Sequence, residues 1–90
     1  MNAIKSDAVI ETADAVAVSY LRLKLQRKSA ADLLERYADL TTNLSALSSV
    51  YGDFGTLNSS KGSERAAIRS VIDDMRLEMA VIIETMEARK

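Results

Sequence analysis

A chain of 90 residues, 48% hydrophobic and with a formal net charge of −1, has room for one domain with a modest core that self-association would supplement. Cysteine and histidine are both absent, which excludes disulfides, thiolate chemistry, imidazole base catalysis and the usual nitrogen and sulfur ligands of zinc. What remains for chemistry is Ser, Thr, Tyr, Lys and carboxylates scattered over helix surfaces, so we expect no enzyme, no cofactor and no metal site.

Proline is also absent, and Ala, Val, Ile, Leu and Met supply most of the apolar content, the composition of long helices. The expected class is therefore all-α. The uncharged stretch from Ala15 to Leu21 falls far short of the roughly 20 residues that cross a bilayer, and the longer one from Leu40 to Gly52 is both too short and rich in Ser and Thr. Asp7, Glu11 and Asp14 interrupt the run that a signal peptide would need. The expectation is a cytoplasmic chain with no membrane partner.

In chain order, Val9, Ala13, Val16, Tyr20 and Leu23 alternate at spacings of four and three, and Ile10, Ala17, Leu21 and Leu25 widen that stripe. Sevenfold steps from Val9 reach Val16, Leu23, Ala30, Tyr37, Leu44 and Tyr51 without leaving apolar positions, so the stripe crosses the middle of the chain in phase. With neither Gly nor Pro before Tyr51, this predicts one unbroken helix over about residues 3–51, roughly 70 Å long at 1.5 Å per residue. The competing reading breaks the chain near Ser29, where Ser29-Ala-Ala-Asp32 is a weak capping box, and yields a three-helix bundle.

Leu33, Tyr37, Leu40, Leu44, Leu47, Tyr51 and Phe54 continue the same alternation. All three glycines then fall between Gly52 and Gly62, together with Asn58, Ser59 and Ser60, and mark a loop over 52–62 with Gly52 as a left-handed C-cap. Ser63 and Glu64 open a second helix over about 63–89, whose seam is Ile68, Ile72, Met75, Met79, Ile82 and Met86, broadened by Val71 and Ile83. Two matching seams joined by one loop predict an antiparallel hairpin with coiled-coil-like packing over 29–90, and an arm over 1–28 that partly overhangs it.

An overhanging stripe does not face water, so Val9, Ala13, Val16, Tyr20 and Leu23 are the candidate interface of a homo-oligomer or of another protein. Arg27 occupies the next seam position, either fixing register or snorkelling to the rim. Charge is uneven: acids dominate before residue 20, whereas Arg22, Lys24, Arg27 and Lys28 form a basic segment without acids. These four are candidate nucleic-acid contacts, although no stacking platform or helix-turn-helix spacing accompanies them. The expected function is a non-enzymatic protein–protein interaction module, an adaptor, chaperone or regulator such as an antiactivator or a phage or secretion accessory protein. The alternative is a small nucleic-acid-binding accessory protein.

Overall fold

The computed structural model describes residues 9–57 and 62–89, nearly all of them helical, the rest forming two short breaks and a final turn at Arg89. Four helices pack against one another. They are α1, whose described part is residues 9–12, α2 (Ala15–Gln26), α3 (Ala30–Leu57) and α4 (Gly62–Ala88).

The unbroken helix over 3–51 does not form; the chain breaks at residues 13–14 and again at 27–29. At the first break Asp14 takes an extended conformation (φ −61°, ψ 125°), and its Oδ1 accepts the Val16 N–H at 3.2 Å, an N-cap that restarts the helix. At the second, the Ser29 half of the capping box forms: Oγ accepts the Asp32 N–H at 3.1 Å while the Ser29 carbonyl accepts from Leu33 at 3.0 Å. Neither turn uses glycine. Arg27 lies at φ −83°, ψ −9°, and no described residue has a positive φ, so any L-residue can make this turn and the absence of Gly and Pro did not forbid it.

The glycine window differs too. α3 runs through Gly52 and Gly55 to Leu57, so Gly52 is no left-handed cap and the loop is shorter than 52–62. Two helical glycines cost only about 1 kcal/mol each against alanine, too little to stop a helix in a chain without proline. The side chain of Phe54, and residues 58–61, lie outside the described residues.

α4 is the spine. Contacts from α3 run in the opposite chain direction: Tyr51 meets Arg65 and Arg69, and Arg36 meets Glu78. Contacts from α2 run in the same direction as α4, with Arg22 on Glu84 and the carbonyls of Gln26 and Lys28 on Arg89. The second break therefore returns the chain beside itself, and the molecule measures 46 × 25 × 25 Å, with no 70 Å arm. The α3 seam faces inward as expected, with Leu33 and Leu40 buried and Tyr37, Leu44, Leu47 and Tyr51 half-buried.

On α4 the predicted seam is only half of the buried surface. Ile72 and Ile82 are buried, but so are Leu77, Val81 and Thr85, a second row at spacings of four that arises because α2 covers α4 on another side. The Thr85 hydroxyl is accommodated there by donating to the Val81 carbonyl at 2.8 Å. Val18 and Leu25 of α2 complete the core with Leu33, Leu40, Leu77, Val81 and Ile82.

Fully buried Ile82 should be costly to truncate: Ile82→Ala is expected to lower the unfolding free energy by about 2–5 kcal/mol in urea titrations followed by circular dichroism. Ser29→Ala, which removes only the cap, should cost about 1 kcal/mol in the same assay.

Candidate functional site

α2 carries apolar side chains on two opposite faces. Ala17, Val18, Leu21 and Leu25 recur at helical spacing and turn toward α4, where Val18 and Leu25 are buried. Val16, Tyr20 and Leu23, spaced four and three, lie on the other side of the same helix. They are 75%, 65% and 63% exposed, the most exposed large apolar residues among those described. The wide stripe read from the sequence is therefore two stripes, and the core accepts only one of them.

Arg27 continues the outer stripe, four residues beyond Leu23. Tyr20, Leu23, Lys24, Arg27 and Lys28 line a shallow open depression, so two members of the expected interface and three of the expected phosphate contacts share one surface. All three cations are exposed, and none makes a side-chain ion pair or hydrogen bond among the described residues.

The other predicted site residues are engaged within the chain. Val9 and Ala13 pack against the core and line, with Ala17 and Leu77, a groove between α1 and α4, so they are not part of the outward surface. Arg22 does not join the cationic group: its Nε and Nη2 grip both oxygens of Glu84 at 2.9 and 2.7 Å. That bidentate geometry, through the hydrogen bond first and the Glu84 charge second, raises the guanidinium above its ordinary range.

Arg36 is held likewise on Glu78, at 2.7 and 3.1 Å, and is raised by that hydrogen bond. Such pairs orient α2 and α3 on α4 rather than supply large stability, because both lie at the surface. Arg89 holds the turn between α2 and α3 by donating to the carbonyls of Gln26 at 3.1 Å and Lys28 at 2.8 Å, groups left unpaired where α2 ends.

At the opposite end of α3, the guanidinium carbon of Arg65 stands 4.3 Å over the Tyr51 ring and Arg69 donates to the Tyr51 hydroxyl at 3.4 Å. That hydroxyl, followed by the charge of Asp73, raises Arg69. These contacts were not legible beforehand, since they join residues on different helices. Among the described residues, no three His, Cys, Asp or Glu side chains are placed to hold a metal ion, and no helix is long and apolar enough to cross a membrane.

In comparisons with known proteins, no family model, no curated protein and no solved structure matches this chain.

Two leucines separated by one residue should respond oppositely to charge. Leu23→Asp is expected to leave the helical circular dichroism intact and the unfolding free energy within about 0.5 kcal/mol of the parent monomer, as for most surface substitutions. Leu25→Asp buries a carboxylate without a partner and should unfold the chain.

Proposed function

We propose that this chain is a non-enzymatic, cytoplasmic protein–protein interaction module that acts as a homo-oligomer, an adaptor, chaperone or regulator such as an antiactivator or a phage or secretion accessory protein. The observation that carries this reading is the outward stripe Val16, Tyr20 and Leu23 on a helix whose opposite face is already occupied by the core. A helix in contact with one neighbour needs one apolar face; a second face exposed to water lowers solubility and promotes association. Covering such side chains contributes about 1.5–3 kcal/mol each before the entropy of association is subtracted, so a few of them suffice for a reversible complex.

The remainder of the molecule suits a support for that stripe. α3 and α4, read as an antiparallel hairpin with coiled-coil-like packing, hold α2 through Val18 and Leu25 and through the Arg22–Glu84 pair, so the outer face is presented in a fixed orientation. Pre-ordering α2 removes part of the entropic cost that an unfolded segment would incur on binding.

Nucleic-acid binding is the second reading, favoured by the three cations Lys24, Arg27 and Lys28 on one surface, unpaired among the described residues. It rests on fewer residues than the sequence suggests, because Arg22 is committed to Glu84.

The two readings separate in solution. Under the interaction-module reading, light scattering after size exclusion gives a mass above that of the 9.8 kDa monomer, and Leu23→Asp returns it to the monomer. Replacing Lys24 and Arg27 by Ala should then leave capture of a partner other than a second copy largely unchanged. Under the nucleic-acid reading the same double replacement abolishes retention by DNA or RNA, and retention by the parent chain falls steeply as salt rises.

A further inference from the structure

We propose that two copies of this chain pair through α2 in antiparallel orientation about a two-fold axis at Tyr20. The inference rests on the interaction-module reading and specifies its first partner: a second copy, seated on the Val16, Tyr20 and Leu23 stripe.

Charge selects the second copy and its direction. At the start of α2 stands its exposed N-cap Asp14, with the exposed Glu11 on the helix just before it, and at its end the exposed cations Lys24, Arg27 and Lys28. Among the described residues, the side chain of Asp14 hydrogen-bonds only the amide of Val16, and none of the three cations has a side-chain partner. An antiparallel copy sets the basic end of each α2 against the acidic end of the other, and the two helix dipoles oppose as well. A parallel copy would stack Arg27 on Arg27 and Lys24 beside Lys24, bringing like charges together across an apolar seam.

The stripe is also nearly symmetric about its middle. Val16 lies four residues before Tyr20 and Leu23 three after it, so in an antiparallel pair each Val16 faces the partner's Leu23 and the two Tyr20 rings meet near the axis. A patch of this kind is self-complementary, as a two-fold interface requires, and an aromatic at its centre is the type of side chain that dominates association energy. Arg27 then lies toward the N-terminal end of the partner's α2, the end that Asp14 caps. Its place on the outer seam is then explained: it marks the end of the apolar contact and fixes register by pairing with the partner's acidic end.

The chain contains no cysteine, so introduced thiols report the geometry without interference. Three full-length variants, Val16→Cys, Tyr20→Cys and Leu23→Cys, alter exposed positions, and their folding is checked by circular dichroism. Each is equilibrated in a glutathione redox buffer, alone and in pairs, and disulfide-linked dimer is quantified on non-reducing gels, with light scattering of the parent chain in parallel.

Antiparallel pairing predicts that Tyr20→Cys links to itself and that Val16→Cys links to Leu23→Cys in the mixture. Val16→Cys alone should link at least tenfold less, since its two thiols sit roughly 10 Å apart along the axis, beyond the span of a disulfide. Efficient linking of Val16→Cys to itself and of Leu23→Cys to itself, with a dimeric parent, overturns the antiparallel arrangement while self-association stands. A parent that remains monomeric at all concentrations, with no variant linked above the level of random collision, overturns both the arrangement and the homo-oligomer.

Discussion

Val81 and Ile82 are neighbours in the sequence, point about 100° apart on a helix, and are both fully buried. No single partner helix can cover two such directions at once, so α4 must have helices on two sides. α3 supplies one with Leu33 and Leu40, and α2 supplies the other with Val18 and Leu25. The remaining architecture follows from that requirement. A straight helix from the start of the chain to Tyr51 could lie along only one side of α4; the break at 27–29 lets the same chain serve both.

The break is stabilised locally and from a distance. Ser29 caps α3 through its hydroxyl, and Arg89, from the far end of α4, reaches the free carbonyls of Gln26 and Lys28. A turn without glycine is thereby made from residues none of which has a positive φ, with its orphan acceptors satisfied by a side chain 61 and 63 residues away. The ion pairs Arg22–Glu84 and Arg36–Glu78 then set how α2 and α3 sit on α4, one on each flank.

Covering α4 on two sides uses up one face of α2 and leaves the other. Because α2 is short and apolar around most of its circumference, turning Ala17, Val18, Leu21 and Leu25 inward obliges Val16, Tyr20 and Leu23 to turn outward. The exposed stripe is a direct geometric consequence of the core. It would disappear only if a further helix of the same chain lay over it, and no described residue does. Basic residues flank one end of that stripe and acidic residues precede the other, so the surface is polarised along its length as well as apolar across it.

The sequence by itself determined the helical class, the inward seam of α3, the extent of α4 to within a residue or so, and that the apolar stripe before residue 28 is wider than one buried helix face. These are local or periodic properties: composition, helical spacing and the capping chemistry of Ser29 act over a few residues and can be read along the chain. Only the tertiary structure decided that the helix breaks twice, that Val9 and Ala13 belong to the core, that Leu77, Val81 and Thr85 form a second buried row, and that Arg22 is tied to Glu84. An in-phase stripe is compatible with a continuous helix and with segments that fold back on one another. The choice between them is made by how much apolar surface α4 offers on its second side, a quantity set by residues about sixty positions away.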